Sequence, residues 1–418
     1  MRAKGLGRAN RDFRLGVYNG IFINGAEAFF HSSLVLAPFL ASLGAPAVVI
    51  GLIPALRVGG WSLPQLLVAS RLAHEPFKLP WYKRMSLLRI CAYALLVLAI
   101  FVFQDMPRVI IFVTLSMIAV VSVAGGVSGV PFADVTAKVV PHYRLGTFWV
   151  LRNVIGGLLA LISGLVLRRV LASELPFPVN FALLFSLGAL LSGAAYVAFC
   201  AIREPAGKPA QKAPFRSMVK RVPNLLRQNS SFRRYLRVRF LGLLALLAEP
   251  FYAVYAIRTL GAPATALGIF IIIATFSTIS ANLLFRRAAD NGRNVSVLQW
   301  GVALLCTAPL LALVMTQWQG FVLVFVCSAA GQAGINIAAW NLLYAVSPEA
   351  ERSLYVGTAN SILSLPSLAP IAAGVVVDTV GFRPTFGFAA LMALTALGFA
   401  FRFHELRVLD RQALQGGI

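Results

Sequence analysis

Polar residues in this chain gather into short breaks between long apolar runs. Each run is roughly 20 residues, long enough as a helix to cross about 30 Å of hydrocarbon. Reading from break to break predicts twelve helices, at 15–38, 46–69, 85–104, 109–132, 146–168, 179–201, 238–257, 264–285, 295–316, 319–344, 353–377 and 383–401. The third, sixth, ninth and twelfth are the least polar. Stretches such as "LLFSLGALLSGAAYVAFC" and "FGFAALMALTALGFAF" are expected to face lipid almost all round.

The pentapeptide LGAPA occurs twice, from Leu43 and from Leu260, 217 positions apart (260 minus 43). Applying that offset lays Gly51 on Gly268 and the second run on the eighth. Both copies then join the first helix of a half to its second, where Gly and Pro suit a tight turn between antiparallel helices. A looser echo, "VVPHYRLG" at 139–146 and "VSPEAERS" at 346–353, joins the fourth helix of each half to the fifth. The expected architecture is an all-α membrane protein, with twelve transmembrane helices in two pseudo-symmetric six-helix bundles. Its parts are an N-terminal bundle over 1–201, a basic linker over 202–237 and a C-terminal bundle over 238–418.

Composition supports a bilayer setting: 59% of residues are hydrophobic and 12% charged, more apolar side chain than a soluble globule covers. A net charge of +23 would suggest nucleic acid in a polar chain, but its placement assigns it another task. With the N-terminus inside, the tails and even-numbered loops, counted with their flanking span ends, hold 30 of the 37 Lys and Arg residues. The odd loops hold five. That asymmetry predicts both termini in the cytoplasm, with the plasma membrane of a bacterium as the expected location. The linker segment Phe215 to Leu226 has an apolar face opposite Lys and Arg, as a helix lying on the membrane surface would, though a solvated linker fits equally. Cys91, Cys200, Cys306 and Cys327 lie inside apolar runs without metal-ligand spacing. No nucleotide loop or nucleophile elbow is present, so neither enzymatic activity, a cofactor nor a bound metal is expected. The apolar stretch after the basic N-terminus is expected to remain as the first span.

Twelve spans, a basic central loop and a loop after the eighth span reading "FRRAADNGRN" together resemble the major facilitator superfamily. Asp290, Gly292 and Arg293 match that family's Gly-x-x-x-Asp-Arg-x-Gly-Arg-Arg motif in type and order, with the Asp-to-Gly spacing one residue short. The resemblance implies that they take part in conformational control, whereas a plain polar turn is the alternative. The chain also departs from the family's pattern. The loop after the second span, "ASRLAHEPFKLPWYKR", has neither the Asp nor the Gly, the fourth span lacks the embedded Arg of drug/proton antiporters, and the fifth lacks their Gly-Pro motif.

Charged residues in mid-bilayer cost several kcal/mol unless paired or wet, so each needs a reason. At about 1.5 Å per residue, Glu27, Arg57 and Glu249 fall near the middle of the first, second and seventh spans. In the resembled fold those spans surround a central cavity. Glu27 and Arg57 are expected partners, leaving Glu249 without a counter-ion, and Glu27 or Glu249 is expected to carry a proton. A purely structural Glu27–Arg57 pair is the rival. His31, one turn after Glu27, could extend a proton path or be an interhelical hydrogen-bonding residue. Asp134, Arg144 and Arg152 are expected to gather near the cytoplasmic ends of the fourth and fifth spans, as a gate or as anchors, with Arg152 shallow enough to snorkel. Asn24, the stripe Gln332, Asn336 and Trp340, neighbouring Asn341, and Asn360 with Ser361 and Ser364 are candidates for solute binding or for interhelical glue. Pro366 and Pro370 are expected to kink the eleventh span, and Gly125, Gly126 and Gly129 to allow close packing of the fourth.

These readings converge on a monomeric secondary transporter in the lipid bilayer, moving a small organic solute with coupled protons and binding no nucleic acid. A sensor or assembly partner on the same scaffold is the alternative. Glu27, Arg57, Glu249 and Arg152 sum to zero formal charge, so they favour neither anions nor cations.

Overall fold

The computed structural model describes residues 2–72, 75–141, 144–207, 215–348 and 352–402. Twelve helical stretches among them are long and apolar enough to span a bilayer: Asn10–Ser42, Ala47–Gln65, Leu79–Val102, Pro107–Val139, Leu145–Leu171, Val179–Cys200, Ser230–Arg258, Ala266–Asp290, Asn294–Val314, Trp318–Val346, Leu354–Thr379 and Phe382–Phe401. We number these spans 1 to 12. Each overlaps a predicted run. Spans 1, 3 and 7 start five to eight residues earlier than the hydropathy pattern suggests, because their helices continue through basic residues at Arg11, Lys83 and Arg233.

The chain forms two compact units: Met1–Ala45, Ile53–Ala213 and Ala264–Ile272 make the first, and Pro46–Leu52, Pro214–Pro263 and Ile273–Ile418 the second. The division falls inside the expected 202–237 linker, with one departure from the predicted domains. Pro46 and the six residues that open span 2 group with unit 2, and the 264–272 segment groups with unit 1. Inside unit 2, Asp378 accepts hydrogen bonds from the amides of Ala47 (2.7 Å) and Val48 (2.9 Å). A carboxylate there satisfies orphan donors of a helix N-terminus and complements its dipole.

Within unit 1, span 1 packs on spans 5 and 6, span 6 on span 3, and span 3 on span 4. Within unit 2 the same order recurs: span 7 packs on spans 11 and 12, span 12 on span 9, and span 9 on span 10. Span 2 lies on span 4, where a Cβ on Gly126 would fall 2.3 Å from the carbonyl oxygen of Trp61. Span 8 lies likewise on span 10, through Phe285 against Gly334. The two halves therefore repeat in packing as well as in pattern.

Spans 6 and 12 correct the expectation of lipid all round. Phe185, Ala195, Tyr196 and Phe199 of span 6, and Phe386, Ala389, Ala393, Ala396 and Ala400 of span 12, are fully buried. Lipid-facing and helix-facing positions are equally apolar, so hydropathy cannot separate them; Ala, Gly and Ser stripes that let helices approach do. Aromatic rings fill the gaps between spans 1 and 6, with Phe39 5.0 Å from both Phe181 and Phe185. Tyr255 lies 5.3 Å from Phe382 and 5.4 Å from Phe386 between spans 7 and 12.

Both LGAPA segments are helix stops. Gly44 and Gly261 have φ of 82° and 69°, a region where an L side chain is strained. At the first copy the amides of Gly44 and Ala45 return to the carbonyls of Ala41 and Leu40, the pattern of a Schellman cap. At the second, Ala262 returns to Ala256 across a wider turn. Proline follows two residues later in each; the next helix begins directly after Pro46, at Ala47, and three residues after Pro263, at Ala266.

The start of the linker is fixed to unit 1. Glu204 accepts from the amides of Lys78 and Leu79, capping span 3, and pairs with Lys138 at 2.7 Å. Beyond it, the Gly207 amide donates to Pro76 O. Further along, Phe215–Gln228 is helical, and Leu225 of the apolar face expected to meet a membrane surface is buried instead in the core of unit 2.

Gly44→Ala and Gly261→Ala should each lower thermal stability in detergent by about 1–2 kcal/mol, the cost of a side chain in the left-handed region. Gly193→Ala, in a helix with open space around it, should leave stability unchanged or raise it.

Candidate functional site

Span 1 loses its α-helical ladder after Phe29 and resumes as a π turn over Ser32–Leu36, followed by an α-helix over Ala37–Ser42. His31 stands in the gap with extended backbone (φ −61°, ψ 124°), and its Nδ1 accepts from the Leu34 amide at 3.3 Å. It therefore caps the break and does not continue the helical face of Glu27, which corrects the one-turn spacing read from the sequence.

A broken ladder leaves carbonyls without partners, which hydrocarbon cannot supply. Arg57 of span 2 supplies them. Its Nη1 donates to Phe30 O (2.8 Å) and to Ser32 Oγ (3.0 Å), and its Nη2 donates to Glu27 Oε2 (2.7 Å). The expected Glu27–Arg57 pair is thus formed, and the same guanidinium holds the break. Counting about 1.5 Å per residue, Glu27 lies roughly 25 Å and Arg57 roughly 15 Å into their spans. Nevertheless the Glu27 side chain is 49% exposed.

That exposed surface belongs to a cavity of about 320 Å³ inside unit 1, among spans 1 to 4. Glu27, Arg57 and Arg89 line it, with Phe30, Trp61, Tyr93, Met117 and Val121 as walls. Phe30 stacks on Tyr93 at 4.5 Å, and the close approach of Gly126 to span 2 sets the position of Trp61. Arg89 is the cavity-lining side chain that sequence reasoning missed. Read as a basic residue at the flank of a loop, it lies ten residues inside span 3, because the helix starts at Leu79. The signal was present in "KLPWYKRMSLLR": Pro80 suits the first turn of a helix, which places Arg89 three turns in. Its guanidinium lies 4.6 Å from the ring of Tyr196, and its Nε is buried without a hydrogen-bond partner among the described residues.

Span 7 breaks at the equivalent place. Its helix yields to a 3-10 turn over Leu246–Ala248, and Phe30 plus the 217 offset is Leu247. Glu249 opens the next segment and is hydrogen-bonded to the side chain of Gln332, with no cation paired to it among the described residues. Gln332 donates in turn to Ser328 Oγ at 3.2 Å. Farther along span 10, Asn336 and Trp340 are exposed, and the Trp340 ring lies 6.0 Å from Tyr344. Asn341 donates to Asn294 Oδ1 at 2.8 Å. On span 11, Asn360 and Ser361 are exposed, and a 3-10 turn at Leu365–Leu368 marks the bend at Pro366 and Pro370. Asn24 commits its amide to Gly20 O (2.9 Å) and Arg152 O (3.2 Å), binding span 1 to span 5.

Asp134, Arg144 and Arg152 do not gather. Asp134 pairs with Lys78 and Lys138, each at 2.6 Å, because both lysines lie within a turn or across a short gap at the end of span 4. Arg144 donates to Asn10 Oδ1 at 2.6 Å and covers the Phe13 ring. Arg152 does not snorkel: it is 7% exposed, donates to Gly16 O and to Asn19 Oδ1 (3.1 Å), and lies 5.1–5.3 Å from the rings of Phe132, Phe148 and Trp149. Three aromatic faces and two acceptors make burial less costly than reaching for the surface. At the other candidate motif, Gly292 has φ 63° and forms a Schellman cap with Arg293, their amides returning to Ala289 and Ala288. Asp290 makes an exposed i,i+4 pair with Arg286 at 3.3 Å.

Arg152→Gln should lower stability by about 2–3 kcal/mol, because Gly16 O and Asn19 Oδ1 lose a charged donor. Arg144→Gln, at the partly exposed site, should cost under about 1 kcal/mol. Thermal unfolding of the two variants side by side checks the contrast.

Comparison with known proteins agrees with this architecture. The family model described as Major Facilitator Superfamily matches residues 240–416. A POT family transporter solved with 5-aminolevulinic acid superimposes with a TM-score of 0.70 at 11% identity, covering 94% of this chain and 96% of that one. A bacterial homologue of the iron transporter ferroportin, in an inward-facing state, gives 0.70 at 13% identity over 94% and 98%. A D-xylose-proton symporter gives 0.65 at 13% identity over 95% and 98%. No curated protein sequence matches. The chain shares its fold with these transporter structures, and residues 240–416 match the Major Facilitator Superfamily model.

Proposed function

We propose that this protein is a secondary active transporter that carries a small organic solute across a bilayer by alternating access, coupled to protons, with both termini in the cytoplasm. The observation that carries this reading is the cavity in unit 1, where ionised side chains at mid-span depth meet surface reachable by solvent. Charged groups kept in that position are costly, and a solute or ion path is the usual reason they are retained. The breaks in spans 1 and 7 support it, since irregular backbone at membrane depth is tolerated where it lines a cavity or is buried in protein.

The two carboxylates have different surroundings, and this supports separate tasks. Glu27 is tied to Arg57, which also holds the span 1 break, so its charge is committed to structure and to the cavity wall. Glu249 has an amide neighbour and no cation, and an amide can serve either protonation state, as acceptor or as donor. The proton is therefore assigned to Glu249. The D-xylose-proton symporter among the similar structures offers a precedent for coupling on this fold only.

Reconstitution into proteoliposomes with an imposed pH gradient and a panel of labelled solutes tests the reading. Wild type should accumulate a solute and acidify or alkalinise the lumen, followed with a trapped pH dye. Glu249→Gln should abolish the solute-driven pH change while retaining exchange of internal for external solute. Unaltered proton movement in Glu249→Gln sinks the assignment, and no movement of any solute under any gradient sinks transport itself.

A further inference from the structure

We infer that the unit 1 cavity takes a small organic anion, one carboxylate or phosphate on an apolar body, with Arg89 as its charge partner. The inference rests on the transporter reading for its purpose and on unit 1 alone for its evidence. Two guanidinium groups and one carboxylate line the cavity, so its wall carries one positive charge in excess. Of the two, Arg57 is occupied: its two terminal nitrogens serve Glu27, Phe30 O and Ser32 Oγ. Arg89 is differently placed. It has no ion pair among the described residues, its Nε is buried without an acceptor, and it rests on the face of Tyr196 at 4.6 Å.

A guanidinium presents five donors in a planar fork and cannot lose its proton; Glu27 shares the cavity wall but makes no ion pair with Arg89 among the described residues, so the group is under-satisfied. An oxyanion in the cavity would meet its terminal nitrogens, the buried Nε staying behind them, with paired, charge-assisted hydrogen bonds. A cationic solute would meet two positive groups against one negative. A neutral one would leave the excess charge unmatched. The remaining wall, Phe30, Trp61, Tyr93 and Met117, offers rings and thioether to an apolar or aromatic body. A volume of about 320 Å³ lies at the small end of ligand cavities, with room for an aromatic ring and its charged substituent.

The test is isothermal titration of the purified full chain with four probes of similar size: benzoate, phenyl phosphate, benzamide and benzylamine. Benzoate or phenyl phosphate should bind, and benzylamine should not. Arg89→Gln should weaken anion binding about tenfold or more, the loss of one charged hydrogen-bonding partner, and Arg89→Lys should recover part of it. Because Gln at 89 could disturb folding, benzamide serves as the internal measure: its affinity should be the same in wild type and Arg89→Gln. Failure of both anions to bind, benzylamine binding as tightly as benzoate, or an unchanged anion affinity in Arg89→Gln would each overturn the inference. Proteoliposomes separate this from the transporter reading. Uptake confined to organic cations discards the anion site and keeps transport, whereas anion binding with no solute carried keeps the site and discards transport.

Discussion

One guanidinium stands where three demands meet. Span 1 must cross a medium without water, yet its backbone is interrupted there, and an interrupted helix leaves carbonyls that lipid cannot satisfy. Arg57 answers from the neighbouring span by donating to Phe30 O and Ser32 Oγ while balancing Glu27. Without it, the break would expose an unpaired carbonyl and a lone carboxylate together. The cavity follows from this contact, because the bend it stabilises sets the wall carrying Phe30 apart from Trp61 and Met117.

The same interruption recurs in span 7, at the position related to Phe30 by the internal offset, although the residue matching Arg57 by that offset is Ala274. There a 3-10 turn shortens the gap and Pro250 starts the next helical segment. Span 11 adds a third bend over Leu365–Leu368, built from proline. Bends at spans 1, 7 and 11 place short, unladdered backbone inside each unit, which is where packed helices can shift without unravelling.

Much of this was legible in the linear pattern, for reasons particular to membranes. Hydrocarbon thickness imposes a run length, so twelve spans could be counted; glycine at positive φ is hard to replace, so the repeated LGAPA turn could be recognised as structural. The Glu27–Arg57 pair could be anticipated because few partners exist at that depth. Other features depended on distant partners. Span 3 begins at Leu79 because Glu204, 125 residues away, caps its first amides, and that displacement hid Arg89 among the loop residues. His31 was misplaced because an unbroken helix was assumed between it and Glu27. Asp134 is taken by two lysines, while Arg144 and Arg152 are taken by acceptors and rings of their own, and nothing in their spacing announces which.

The internal repeat also shows what was not duplicated. Shifting Glu27, Arg57 and Arg89 by 217 positions gives Leu244, Ala274 and Cys306, so the ionic chemistry belongs to one copy and the other is electrically silent at matching points. A further consequence is temporal: every residue lining the charged cavity precedes Val123, so the ribosome has delivered the whole set before the second copy is begun.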